Sequence, residues 1–282
     1  MNNGLNHPLS TSKQPAPIGI FDSGVGGLTV LREIYRQLPN ESVLYFGDTA
    51  RLPYGARSPE EILYFVRQIL TWMADRGVKM VMMACNTSSA LALDQIQGDF
   101  PFPVLGLIRP GAQAAALRGK RIGVIATQAT VASRAYTCAI QEIDSTCQVW
   151  EVGCPKFVPI VEQNRLRDSS TKVTAATYLQ PLMAAEIDTL VYGCTHYPHL
   201  KSVLQAILPN AMQYIDPAIS MVAAGAQELD ALGLRSSLPA QATEFCVSGS
   251  AIEFANLAVR WLGHRPAVNQ IYLPELAVRP KL

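Results

Sequence analysis

Cys85 and Cys194 share a setting. Each closes an apolar run, follows a small residue (Ala84, Gly193) and precedes hydroxyl or amide residues that can cap a helix. A thiol titrates near ~8.5, and a helix N-terminus lowers that value by stabilising the thiolate, which makes it a better base and nucleophile near neutral pH. One such cysteine is read as an inert core thiol, but two at equivalent strand ends predict reactive groups. His196, two residues past Cys194, can exchange a proton with it or hold its thiolate as an ion pair. His7, His199 and His264 have no comparable setting, and Cys138, Cys147, Cys154 and Cys246 are read as packing or incidental thiols. With no CxxC or HxxxH spacing, no metal site is expected.

Two further segments carry candidates. In FDSGVGGLTVL, Asp22 and Ser23 end a strand, and three glycines then let the chain bend towards a ligand. The turn reads as an anion nest, or simply as one needing positive φ angles. An acid inside such a loop is expected to meet a cation, such as a substrate ammonium group, or to orient a base. In GDTARLPYGARS, the turn at Pro53, Tyr54 and Gly55 can bring backbone amides and a phenol to the same cleft.

Two thiols facing each other across one substrate invert a carbon centre. One thiolate removes the α-proton of an amino acid while the opposite thiol returns a proton to the other face. Without a cofactor as electron sink, donors aimed at the substrate carboxylate must stabilise the carbanion. Ser23, Asn86, Thr87, Thr195 and nearby amides suit that task. None of the seven lysines lies in these motifs, which argues against a Schiff base and pyridoxal phosphate.

The elements that must place these groups follow from periodicity. Short β-branched or aromatic runs (Ile18 to Phe21, SVLYF, KMVMMA, PVLGL, RIGVIA, QVWEV, DTLVYG) alternate with turns or helical stretches, which predicts parallel sheets. Leu28, Leu31, Ile34, Tyr35 and Leu38 mark the buried face of the first helix. Ser58, Pro59 and Glu61 form a capping box ahead of Ile62, Phe65, Val66, Ile69 and Met73. A weak repeat matches IGIFDSG to IGVIATQ, LYFGD to VWEVG and MMACNT to VYGCTH, each roughly a hundred residues on. The fold expected is α/β: two similar parallel-sheet lobes related by pseudo-twofold symmetry, with the active site in the cleft between them.

The chain is expected to leave the first lobe near Arg109, Pro110 and Gly111 and to return near Asp216 and Pro217, both crossings suiting a hinge. That gives a first lobe of 17–108 plus 217–282, an inserted lobe of 109–216 and a flexible tail at 1–16. MQYID and TEFCVSG each start a further strand and helix unit, and NQIYL predicts a strand along a sheet edge.

Composition excludes other classes. In 282 residues, 49% are apolar and 16% charged, a globular balance with about two domains' worth of chain. Lys and Arg total 23 against 22 acids, leaving no general field for nucleic acid or anionic membrane, so a small-molecule partner is expected. No apolar run approaches the ~20 residues of a membrane span. The polar start lacks a secretory core, so a cytoplasmic protein with reduced thiols is expected.

Five segments, IGIFDSGVGGLTVL, YFGDTARLPYG, ACNTSSA, GVIATQATVASRAY and YGCTHYP, resemble in order the motifs of the cofactor-independent glutamate racemases, in the aspartate/glutamate racemase superfamily. The similarity runs from about Ile18 to Gly263. The resemblance implies conversion of L-glutamate to D-glutamate for peptidoglycan, with Cys85 and Cys194 as the two bases, Asp22 and His196 assisting, and a homodimer. It carries ligand contacts onto Asp22, Ser23, Tyr54, Gly55, Asn86, Thr87, Thr195 and His196, with Thr127 and Thr130 as further candidates. His199 departs from the aliphatic residue the family often has after CTHYP, and the Arg109 region varies within the family. Competing expectations are a racemase of aspartate or another acidic amino acid, a two-lobed small-acid binding protein without chemistry, and a cysteine hydrolase using Cys194 and His196 for which Cys85 is dispensable.

Overall fold

The computed structural model describes residues 15–273, so most of the N-terminal tail and the last residues of the first lobe lie outside the described residues. Its strands form two wholly parallel sheets. The first holds β1 (Ile18–Asp22), β2 (Val43–Gly47), β3 (Met80–Met83), β4 (Val104–Gly106), β9 (Glu244–Val247) and β10 (Val268–Gln270), in the order β10-β9-β2-β1-β3-β4. The second holds β5 (Arg121–Ala126), β6 (Gln148–Gly153), β7 (Thr189–Gly193) and β8 (Gln213–Ile215), in the order β6-β5-β7-β8. The central strands are buried along their whole length and therefore read in the sequence as unbroken apolar runs.

The repeat has a structural counterpart. The first four strands of each sheet lie in the same spatial order, β2-β1-β3-β4 against β6-β5-β7-β8. Register aligns their carboxyl ends: Asp22 opposes Gly47, and Ala126 opposes both Gly153 and Gly193. The loops leaving these ends converge on one cleft, where ligands bind in open sheets of this kind.

Helices α1 (Leu28–Gln37), α2 (Pro59–Asp75), α3 (Asn86–Ile96), α4 (Ile108–Ala116), α5 (Gln128–Ser133), α6 (Ala135–Ile143), α7 (Phe157–Glu162), α8 (Ser169–Ala184), α9 (Lys201–Gln205), α10 (Pro217–Ala231) and α11 (Ala251–Leu262) cover the sheets. The box at α2 forms as expected: Glu61 N donates to Ser58 Oγ at 3.2 Å, and Ser58 N donates to Glu61 Oε2 at 2.9 Å. One buried apolar cluster runs from Ile20 and Tyr45 in the first sheet to Phe157 and Leu190 in the second lobe. No helix among the described residues is long and apolar enough to cross a membrane.

One local expectation changes. Tyr35 is not on the buried face of α1. It is 42% exposed and its hydroxyl pairs with Thr243 Oγ1 at 2.7 Å. At the first expected crossing, Arg109, Pro110 and Gly111 lie at the start of α4. At the other crossing Asp216 caps α10, its Oδ1 accepting from Ala218 N at 3.0 Å, and Pro217 opens the helix. A Cβ on Gly111 would meet the Pro217 ring at 2.9 Å, so the two crossings pack directly on each other. The NQIYL strand does lie at a sheet edge, as β10 beside β9.

Candidate active site

Both thiols open on one cavity of about 330 Å³, the size of a small-molecule site. Cys85 and Cys194 follow the carboxyl ends of β3 and β7, the third strand of each repeat. Cys85 caps α3, and its carbonyl accepts from Ser88 Oγ at 3.0 Å, Ser89 Oγ at 2.8 Å and Ser89 N at 2.9 Å. Cys194 leads only into a 3₁₀ turn at Tyr197–Leu200. Tyr197 anchors that turn, its hydroxyl lying 2.9 Å from the Cys154 carbonyl and 3.2 Å from that of Ala126, with Phe157 edge-on at 5.2 Å.

The surroundings of the two thiols differ. Burial, together with the nearby Asp22 charge, pushes the Cys85 thiol up to about 12, outweighing the hydrogen bonds from Ser88 at the helix start. The expected lowering by the helix terminus is therefore overturned, because desolvation of a thiolate is the larger effect. Cys194 Sγ lies 3.8 Å from His196 Nδ1, and His196 Nε2 lies 3.2 Å from Glu162 Oε1. Burial alone would lower the imidazole, but its bonds to Cys194 and Glu162 and the charges of Cys194 and Asp22 win, raising it to about 10.

The glycine loop departs from expectation. The amides of Gly24 and Gly27 donate to Asp22 Oδ2 at 3.0 and 2.9 Å, so the nest is occupied by the protein's own carboxylate. None of Gly24, Gly26 and Gly27 is among the described residues with positive φ. Asp22 Oδ1 is buried without a partner among the described residues, and desolvation raises the carboxyl above its usual range despite His196 and the backbone amides. Tyr54 lines the cavity, yet its hydroxyl turns away to donate to Asp48, which also receives Arg51 and Ser248 Oγ (2.7 Å). The phenol thus braces the loop and presents no hydroxyl to the cleft.

Ser23, Gly55, Asn86, Thr87, Thr127, Thr195 and His196 all line the cavity. Thr130 does not. It sits fully buried behind, 3.3 Å from Thr87 Oγ1 and 3.0 Å from Thr127 Oγ1, while Thr87 and Thr127 meet directly at 2.9 Å. Of the remaining thiols, Cys147, Cys154 and Cys246 are buried and Cys138 is exposed, none of them in the cavity wall.

Sequence reasoning missed the wall formed by Pro155, Val158, Pro159, Glu162 and Gln163. PKFVPIVEQ carries no motif. The repeat held the signal, since this loop follows β6 as the Tyr54 loop follows β2, and loops at equivalent strand ends must reach the same cleft.

A family model for Asp/Glu/hydantoin racemases matches residues 18–229. Over 261 residues the chain is 63% identical to a glutamate racemase of Gloeothece citriformis, covering 93% of this chain and 94% of that protein. Among solved structures, a glutamate racemase isoform from Bacillus anthracis superposes with a TM-score of 0.88 at 39% identity, covering 92% of this chain and 98% of that one. A glutamate racemase of Francisella tularensis in complex with D-glutamate superposes with a TM-score of 0.87 at 32% identity, with coverage of 92% and 98%.

Proposed function

The chain belongs to the Asp/Glu/hydantoin racemase family, and from that premise we propose that it interconverts L- and D-glutamate by passing the α-proton between Cys85 and Cys194, without an organic cofactor. The observation that carries the reading is that both thiols face one cavity from matching ends of β3 and β7. A hydrolase built on Cys194 and His196 would have no use for the second thiol there.

The described residues of 17–108 with 217–282 make one jaw of the cleft and 109–216 the other, each contributing one thiol. In the reaction one cysteine, as thiolate, takes the α-proton while the thiol opposite delivers its proton to the other face of the carbanion. The first cysteine ends as thiol and the second as thiolate, the form that acts on the opposite enantiomer, and exchange of these protons with water restores the starting form. His196 holds a proton that it lends to Cys194, and Glu162 holds the imidazole in place. Asp22 offers its unpartnered Oδ1 to the substrate ammonium or to the Cys85 proton. Ser23, Asn86, Thr87, Thr127 and Thr195 supply the donors that hold carboxylates and spread the developing charge, with Tyr54 and Gly55 shaping the wall. Thr130 acts from behind, through Thr87 and Thr127.

The product supplies peptidoglycan synthesis in the cytoplasm, and the protein works as a homodimer, a state that light scattering in solution reads directly. The deciding experiment is incubation of L-glutamate with the protein in D2O. The expected result is D- and L-glutamate both carrying deuterium at Cα. Glutamate that binds without taking up deuterium would make the chain a binding protein.

A further inference from the structure

We propose that Tyr136, in the second lobe, is a positioning residue for racemisation: its hydroxyl holds the Asn86 side chain beside Cys85 so that the amide nitrogen is left to donate to the substrate. The inference rests on the glutamate racemase reading of the site. Tyr136 lies on α6 and is fully buried. A buried phenol needs a hydrogen-bond partner, and most find one in nearby backbone. Among the described residues Tyr136 has a single partner, Asn86 Oδ1 at 2.6 Å, 50 residues away and in the other lobe.

In that bond the phenol donates to the amide oxygen. Burial, with the charges of Asp216 and Glu151 near it, holds the phenol well above its usual range, so its proton stays in place. An asparagine amide has one accepting and one donating end. With Oδ1 committed to Tyr136, the Nδ2 end remains. It has no partner among the described residues, is not shut away from solvent, and belongs to a residue of the cavity wall directly after Cys85. Were the hydroxyl missing, the amide could turn over and offer its oxygen to the substrate carboxylate instead, replacing attraction by repulsion.

The ring does a second job. The Tyr136 edge (Cε1) lies 3.3 Å from where a Gly111 Cβ would stand, and Gly111 packs on Pro217. Tyr136 therefore links the place where the chain crosses between lobes to the side chain next to one thiol. Its hydroxyl holds Asn86 only while the lobes keep their register.

The test is a double-mutant cycle of Tyr136→Phe, Asn86→Ala and the pair, read in kcat and KM for L-glutamate and in equilibrium binding of racemic glutamate by calorimetry, with thermal melting as control. Tyr136→Phe is expected to raise KM and Kd about tenfold, the cost of one lost charge-directed donor, at nearly unchanged Tm, and to add nothing in the Asn86→Ala background. An unchanged KM, or the same penalty in both backgrounds, overturns the proposal. Asn86→Asp keeps the acceptor for Tyr136 and removes the donor, so it is expected to bind as weakly as Asn86→Ala, and tight binding by it also overturns the proposal, even if Tyr136→Phe fails to fold. A wild-type protein that racemises glutamate alongside a neutral Tyr136→Phe fails this inference alone, whereas an inactive wild type fails the underlying reading and this inference with it.

Discussion

A Cβ placed on Gly26 would stand 2.5 Å from Nδ1 of His196. That contact spans the cleft, since Gly26 precedes α1 and His196 follows β7. Gly55 meets Thr127 in the same manner, a Cβ there standing 2.8 Å from that of Thr127. Both glycines are needed for closeness between lobes, not for an unusual backbone angle.

Gly26→Ala is therefore expected to displace His196 and lower kcat/KM by about a hundredfold, the scale of one misplaced acid/base group, and to lower the urea midpoint as well, since overpacking a buried site costs about 1–3 kcal/mol. Gly77 is the contrast. Its φ of +67° strains any other residue, yet nothing lies within 4 Å of its Cβ position. Gly77→Ala should cost about 1 kcal/mol of stability and leave kcat/KM intact. Equal activity losses in the two variants would contradict this assignment.

Cys85→Ser and Cys194→Ser should each reduce racemisation by about a thousandfold or more, because in the proposed mechanism each removes one of its two proton carriers. Cys246→Ser places a hydroxyl in a fully buried site and should cost about 1–3 kcal/mol with activity retained. Full activity in either of the first two variants would sink the two-base mechanism.

The raised His196 value fixes a pH dependence. In the unfolded chain the imidazole loses its proton near 6.5, whereas in the folded protein it keeps it to about 10. The stability this lends is complete below 6.5 and drains away as pH climbs towards 10. Urea midpoints should fall across that window in the wild type and less steeply in His196→Gln. The alkaline limb of kcat/KM should follow the same group. Glu162→Gln removes a partner that raises the imidazole, so the limb should move to lower pH; a limb that stays put would disconnect Glu162 from the chemistry.

Arg260 on α11 donates through Nη1 to the Glu162 carbonyl at 2.9 Å, tying the end of α7 to the first lobe. Arg260→Ala should raise KM about threefold, a modest loss because the bond is exposed to solvent, with kcat near wild type. Steady-state kinetics with both enantiomers would read it.

The parts of this molecule legible in its sequence are those set by short-range pattern. Buried parallel strands read as apolar runs, and the thiols sit where such runs stop, so β3 with Cys85 and β7 with Cys194 could be placed together. The capping box at Ser58 and Glu61 is equally local. What pattern could not show depends on which side chains the fold brings together and on how deeply it buries them. The environment that raises Cys85 comes from Asp22 and from burial, Tyr54 is turned aside by Asp48, and Glu162 becomes relevant only once α7 is laid against His196. Tyr35 has the right spacing for the core face of α1, but that face is already filled by Leu28, Leu31 and Ile34, and its hydroxyl finds Thr243 outside.

The shared strand order of the two sheets bears on energetics as well as ancestry. Two copies of one half-fold are related by rotation, while the two enantiomers of a substrate are related by reflection, and no rotation of a chiral protein can turn one relation into the other. Here the halves also diverge in detail, one thiol sitting with a carboxylate and the other with an imidazole. Enantiomers have equal free energy in solution, so kcat/KM must be identical in the two directions whatever the protein does. The two complexes with a chiral protein are nevertheless diastereomers, so that common ratio can be divided unequally, one hand of the amino acid having a lower KM and a lower kcat than the other.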